Sequence, residues 1–311
     1  MKRFISIAVF LVLFPVVPTH GQQIEQTGYD RKEVIYGRKF GTALTLDVFT
    51  PKKVANGAGV IVVISAGWNS DHNAITPTLS NITLPLLEKG FTTFAVVHGS
   101  NPKYSLPEIL EDVHRSVRFI RHNAKEYGID ANRLGITGAS AGGHLSLMQG
   151  CAGKAGNPTA PDPVDRESSR VQAVVAFYPP TDFLNWGEKD KVMLGQHPIV
   201  PLKGVFDFTQ HNPKANAFEL ITDEKKRLEI GKDISPITHV AKDNPPTLLV
   251  HGDRDVIVPL QQSETMVTKL KDAGVTAELI IGKGRIHNAL IVHEQRPKML
   301  EWFDKHLAKK D

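Results

Sequence analysis

An α/β fold, with a mostly parallel central sheet covered by helices on both faces, is what this 311-residue sequence predicts. Three observations carry the expectation. Short apolar runs such as Val60–Ile64, Phe91–Val97 and Val171–Tyr178 lack polar alternation, as strands buried on both faces do. Helical patterns stand between them, and strands alternating with helices imply a parallel sheet. Each run then ends in a cluster of small and polar residues, at the edge where such sheets collect their chemistry.

The elements follow in order. Met1-Lys-Arg3 precedes a nearly unbroken apolar stretch, Phe4 to Val17, and then Pro18-Thr-His-Gly21. A basic start, a short apolar centre and small residues behind it are the pattern of a secretory signal peptide. Residues 1–21 are therefore expected to be a leader, with residues 22–311 one domain outside the cytoplasm, secreted or periplasmic. The apolar stretch is short for a membrane span, although an uncleaved anchor is the alternative. Lys32–Tyr36 and the alternating Leu44–Phe49 flank a Gly37–Gly41 turn and read as an antiparallel hairpin. Val60–Ile64 is the first buried strand. Thr78–Lys89 is helical in pattern, interrupted by Pro85, and Phe91–Val97 is the next strand. Leu110, Val113, Val117, Ile120 and Ala124 lie on one helix face. Arg133–Thr137 reads as a strand and Gly142–Met148 as a helix, joined by the four residues Gly138 to Ala141.

Beyond a Pro/Gly-rich loop (Gly153–Pro163), Val171–Tyr178 is a further strand. Pro179–Val240 then shows no alternation of strand and helix. It holds Phe183, Trp186, Phe206 and Phe208 and one charged helical piece, Asp223–Glu229, and is expected to be a cap, about residues 179–240, over the sheet's C-terminal edge. Pro246–Val250 is a strand, Gln261–Ala273 a helix and Ala277–Ile281 a strand. Pro297–Leu307 is expected as the closing helix, its proline in the first turn.

The chemistry centres on Gly138-Ala-Ser140-Ala-Gly142. Between a strand and a helix, Gly-x-Ser-x-Gly makes a turn too tight for Cβ atoms beside the serine, and lifts its Oγ above the sheet. The Ala141 N–H opens the helix, where unpaired donors favour negative charge. A serine hydroxyl needs a base, and the base needs an acceptor to fix its tautomer. Two later strands end in His251-Gly-Asp253-Arg-Asp255 and in Gly284-Arg-Ile-His287-Asn288. His98, His251 and His293 are the other histidines weighed as bases. His98 and His251 end strands and read as satisfied buried histidines; His293 reads as solvent-facing.

Taken together, Gly138-Ala-Ser140-Ala-Gly-Gly143, His251-Gly-Asp-Arg-Asp255-Val-Ile-Val-Pro259 and Gly284-Arg-Ile-His287 resemble the serine esterases of the α/β-hydrolase fold. The likeness is to the acetyl-xylan and feruloyl esterase-like (BD-FAE) branch, near the hormone-sensitive-lipase-like enzymes. Asp112–Arg121, Tyr127–Arg133, Pro180-Thr-Asp182 and Ser235-Pro236 support it, over the chain from about residue 34. The resemblance implies a catalytic Ser140, His287 and Asp255. It makes the second aspartate of the loop the acid and leaves Asp253 to accept backbone N–H groups. Where such enzymes carry a His-Gly-Gly-Gly-Trp-like loop, this chain has Ile64-Ser-Ala-Gly67-Trp68, so the oxyanion donors are expected among the amides of Ala66 or Gly67, Trp68 and Ala141. Asn288 also stands where glycine usually follows the base.

The activity implied is hydrolysis of a carboxylic ester through an acyl-enzyme, with a short acyl group, acetyl above all, on a carbohydrate or other polar alcohol. Trp186, with Trp68, offers an aromatic face to a sugar; the alternative for Trp186 is plain packing. A lipase, a prolyl-oligopeptidase-like peptidase and a non-catalytic binding protein on the same fold are the rivals. A net charge of +4 without a basic stripe does not point to nucleic acid. No phosphate loop or zinc-ligand spacing is visible, so no cofactor or metal is expected. Cys151 is the only cysteine, so no intrachain disulfide can form.

Overall fold

In a computed structural model describing residues 28–197 and 202–309, ten strands and seven α-helices follow one another in an αβ sequence. The leader expected at residues 1–21 lies outside the described residues. The strands and first helices are β1 (Tyr29–Lys39), β2 (Thr42–Pro51), β3 (Gly59–Ile64), α1 (Ile75–Thr78), α2 (Leu84–Glu88), β4 (Thr92–Val97), α3 (Leu106–His122), β5 (Leu134–Ala139) and α4 (Ala141–Ala152). Then come β6 (Ala173–Phe177), β7 (Thr209–Asn212), β8 (Ala217–Leu220), α5 (Glu224–Asp233), β9 (Thr247–Gly252), α6 (Gln261–Asp272), β10 (Ala277–Gly282) and α7 (Ala289–His306).

Eight strands form one sheet in the order β1-β2-β4-β3-β5-β6-β9-β10. Pairing is antiparallel from β1 through β2 to β4 and parallel in every other pair. This is the α/β-hydrolase fold. The order runs outward from β3 to β4, then returns across β3 to β5. The adjoining ends of β3 and β5 therefore straddle the point where the winding reverses, where a crevice opens above the sheet. Alternation along the strands divides the core. Ile61 and Val63 pack with α3, α4 and α6 in one apolar layer, while Val60, Val62 and Ile64 pack with α2 and α7 in the other. The continuous apolar runs of the sequence follow directly from burial on both faces.

Three expectations change. The stretch read as one helix from Thr78 is α1 and α2 joined through a π-turn, Leu79–Thr83. The Leu84 N–H bonds five residues back to Leu79, just before Pro85, which has no N–H to give. The closing helix begins at Ala289, not Pro297, and Pro297 lies inside it. The Asn288 side chain caps α7 by accepting the Leu290 N–H, and buried Ile291 and Val292 join Met299, Trp302 and Phe303 on one helical face. The stretch from Pro179 to Val240, read as a cap without strand–helix alternation, also contains the β7–β8 hairpin, seven of whose eight positions are exposed and one half-buried. No helix among the described residues is long and apolar enough to cross a membrane.

Candidate active site

Ser140 sits between β5 and α4 with a left-handed backbone (φ 55°, ψ −120°). The reason is local crowding. A Cβ on Gly138 would lie 2.5 Å from the Gly142 backbone, one on Gly142 would lie 2.7 Å from the Val63 carbonyl, and one on Gly143 would lie 2.9 Å from the Phe177 carbonyl. The turn is fixed from both sides. The Ser140 N–H donates to Phe177 (2.9 Å), and the His144 N–H donates to the Ser140 carbonyl (2.9 Å). Ser140 thus stands above the centre of the sheet, exposing its Oγ at the cost of a backbone conformation few side chains adopt.

His287 and Asp255 come from the two loops that leave β10 and β9. These loops are stitched together: Asp253 N–H to Gly282, Arg254 N–H to Arg285 (2.9 Å), and Gly284 N–H to the Asp253 carboxylate (2.6 Å). They cross so closely that a Cβ on Gly252 would meet the Arg285 carbonyl at 2.2 Å. The crossing brings the His287 Nδ1 to 2.7 Å from Asp255 Oδ2 and its Nε2 to 2.8 Å from Ser140 Oγ. The other Asp255 oxygen accepts the Ile257 and Val258 N–H groups, each at 2.9 Å. Burial pushes the Asp255 carboxyl up, but hydrogen bonds from His251 and His287 outweigh it and hold the group well below the usual carboxylate range. An ionised acceptor at Nδ1 fixes the imidazole tautomer that presents a bare Nε2 to the serine hydroxyl. The Tyr178 ring packs 4.4 Å from the His287 ring, on a left-handed backbone (φ 39°) at the end of β6.

The loop after β3 makes a two-residue turn. Ala66 and Asn69 exchange both backbone hydrogen bonds (2.9 Å each), and both central residues, Gly67 (φ 55°) and Trp68 (φ 58°), are left-handed. Both line one cavity with Ser140, as the placing of β3 beside β5 requires. Ala141 opens α4 directly behind the serine and is buried. Trp68 is 2% exposed, its indole edge-on to His144 and Phe206 and tilted against Phe183.

His144, in the first turn of α4, was not singled out in the sequence. Its Nδ1 accepts the Trp68 indole N–H (3.1 Å) and its Nε2 donates to the Ile234 carbonyl (2.8 Å). Burial lowers its pKa to about 4, so it is a neutral structural link between elbow, turn and the segment above. The sequence signal was a polar residue on an otherwise apolar helix face. His98 is also buried, bonded to the Gly99 carbonyl (2.8 Å) and to Ser65 Oγ (2.9 Å), with its pKa lowered to about 4 by burial. His251 is bonded to Ser263 and to the Val258 carbonyl, and His293 is exposed on α7. Among the described residues only His287, its side chain 16% exposed, reaches the serine.

The cavity measures about 390 Å³. One wall is Ser140, His287 and the Gly67–Trp68 turn. The rest of the lining includes Trp186, His197, Leu202, Ile257 and Val258. Trp186 is 6% exposed and stacks on Phe183 with ring planes 5° apart, while His197 meets it edge-on. His197 in turn donates to the Ile257 carbonyl, tying this part of the lining to the loop of Asp255. Gln262 holds the start of the segment, accepting the Thr181 and Asp182 N–H groups. Cys151 is distant in role: it ends α4, half-buried, with its thiol pushed up to about 12 by burial. Among the described residues no group of three or more His, Cys, Asp or Glu side chains is placed to hold a metal ion.

Comparison with known proteins agrees with this architecture. The sequence profile of the BD-FAE family matches residues 46–270. A probable carboxylic ester hydrolase, LipM, of Mycobacterium tuberculosis is 28% identical over 280 residues, covering 85% of this chain; this chain spans 59% of that protein. A truncated carbohydrate esterase from gut microbiota is 26% identical with a TM-score of 0.73, covering 92% of this chain and 99% of the other. An acetyl ester-xyloside bifunctional hydrolase of Caldicellulosiruptor lactoaceticus shares the fold, at 24% identity and a TM-score of 0.67, over 89% and 94% of the two chains.

Proposed function

The chain belongs to the BD-FAE family, and from that premise we propose that it is a serine carboxylic-ester hydrolase removing short acyl groups, acetyl above all, from a carbohydrate or another polar alcohol. One observation carries the reading: a buried carboxylate, an imidazole and a serine hydroxyl joined in series at 2.7 and 2.8 Å, opening into a walled cavity. Ser140 Oγ attacks the ester carbonyl carbon while its proton passes to His287 Nε2. The resulting oxyanion is held by the amides of the Gly67–Trp68 turn and of Ala141. Collapse expels the alcohol, which takes the proton from His287. A water molecule, deprotonated by the same nitrogen, then hydrolyses the acyl-enzyme, and the acid leaves with Ser140 restored. Asp255 keeps the imidazole oriented and stabilises it when charged.

The substrate class rests on two supports. A carbohydrate esterase is among the structural relatives at 26% identity. The cavity is also lined by Trp186, whose stacking on Phe183 leaves it little freedom to move aside for a long chain. The same ring is the contact we assign to the substrate. Residues 1–21 have the pattern of a secretory leader, which would place the enzyme where glycans are met. The test is a series of acyl esters of rising length, with acetylated xylan and feruloyl sugars beside them. Acetate and propionate esters should exceed octanoate by at least about tenfold in kcat/KM. A preference for long chains with activation at an oil–water interface would identify a lipase instead.

A further inference from the structure

The Gly67–Trp68 turn has a partner that lies outside the cavity. The Asn101 side-chain amide donates to the Gly67 carbonyl (2.8 Å), and the Asn101 backbone N–H donates to the Trp68 carbonyl (3.3 Å). Asn101 follows β4 by a few residues and does not line the cavity, whereas Gly67 and Trp68 do. Asn101 therefore grips the face of the turn that points away from Ser140. We propose that Asn101 is a positioning residue for oxyanion binding, because it sets the direction in which the Trp68 amide points.

The argument is one of peptide geometry. The Gly67–Trp68 bond is trans, and in a trans peptide C=O and N–H point in opposite directions within one rigid plane. Holding the Gly67 carbonyl on Asn101 turns the Trp68 N–H to the opposite side, where the cavity lies. The preceding peptide is fixed in the same way. Its carbonyl, on Ala66, accepts from Asn69, which sends the Gly67 N–H outward from the turn. The conformation needs this hold. Trp68 is a bulky residue with φ of 58°, a region few side chains occupy without support. Its side chain is anchored separately through His144 and the rings of Phe183 and Phe206. Two anchors, one on the backbone and one on the indole, then leave the peptide plane no freedom to rotate. The segment above supports Asn101 as well, because Gly204 packs so tightly on Pro102 that a Cβ there would meet it at 2.6 Å.

This inference rests on the hydrolase reading, with the Gly67–Trp68 amides as oxyanion donors, and the test separates the role of Asn101 from ester hydrolysis itself. Wild type, Asn101→Ala and Asn101→Asp are assayed on p-nitrophenyl acetate, with active sites counted by organophosphate titration so that unfolded protein does not enter kcat. Asp has the size of Asn but lacks the donor, and it carries the test if the alanine variant fails to fold. Each enzyme is also inhibited with a trifluoromethyl ketone, which adds to a serine hydroxyl as a tetrahedral oxyanion. An interaction made only with the oxyanion lowers kcat and leaves KM nearly unchanged. In Asn101→Asp, kcat should fall at least about tenfold, KM should stay within about threefold, and the ketone Ki should rise by the factor that kcat falls. Wild-type kcat and Ki in that variant, or a loss confined to KM, would overturn the role of Asn101 and leave the hydrolase reading intact. Absence of ester hydrolysis in the wild type would overturn both.

Discussion

Ser140, Asp255 and His287 leave regular elements almost at once, whereas Trp186, His197 and Leu202 belong to a stretch with little regular structure between β6 and β9. The first set is held by the backbone: crowded glycines at the elbow, and the loops after β9 and β10 crossing and exchanging amide bonds. The second set is held by side chains: Trp186 stacked on Phe183, His197 bonded to Ile257, and the segment tied down through Gln262 and His144. The difference suggests a division of labour. On the proposed reading, the backbone-fixed groups carry the reaction and the side-chain lining selects the substrate, because side chains can be exchanged without moving the sheet.

Breaking the first region should cost the most. Asp255→Asn and His287→Ala should each lower kcat by about three orders of magnitude, and the double variant should be little worse, since groups acting in series are strongly non-additive. Additive losses in that cycle, or a larger loss from Asp253→Asn than from Asp255→Asn, would show that the acid is misassigned. Breaking the second region should be milder and selective. Trp186→Ala should raise kcat/KM for octanoate relative to acetate by about tenfold, with acetate turnover itself changed by less than about threefold. A uniform loss on every chain length would place Trp186 with the chemistry rather than with the wall.

A smaller effect separates structural from reactive histidines. His98, His114 and His144 are each buried, and burial lowers each pKa from 6.5 to about 4. Between about pH 6.5 and 4 the unfolded chain binds protons there that the folded chain does not. Stability is therefore complete above that window and declines as pH falls through it, by up to about 1.4 kcal/mol per pH unit for each histidine. The depressed Asp255 acts in a lower window. Its contribution is present above the ordinary carboxylate range and fades only below it, as pH falls toward the folded value. Urea midpoints measured from pH 7 to 4 should decline steadily. A flat midpoint over that range would contradict neutral burial of the three rings.

The two regions were unequally legible in the sequence. The elbow could be read because its cause is local: glycines on both sides of one serine, between an apolar run and a helical one. The sheet could be read because burial on both faces leaves continuous apolar strands. Separating Asp255 from Asp253 needed the family resemblance, because their difference is tertiary: Asp253 ties Gly284, and Asp255 reaches His287. The β7–β8 hairpin was missed because its strands, almost wholly exposed, have no buried face and hence no alternation. The early start of α7 was missed because Pro297 drew the boundary, although Ile291 and Val292 already continue the face of Met299 and Phe303. Asn101 carried no local signal at all, since its partners lie on another element, and His144 showed only as a polar residue on an otherwise apolar helix face.

The central claim is that Ser140 is the one nucleophile and His287 its base. Its most direct measurement is stoichiometric labelling with a fluorophosphonate, followed by peptide mass spectrometry and by the residual rate on p-nitrophenyl acetate. We predict one adduct per chain, on Ser140, with activity falling in proportion to labelling, and no adduct in Ser140→Ala or at a much reduced rate in His287→Ala. Labelling at another residue, or full activity in a chain labelled at Ser140, would contradict the account.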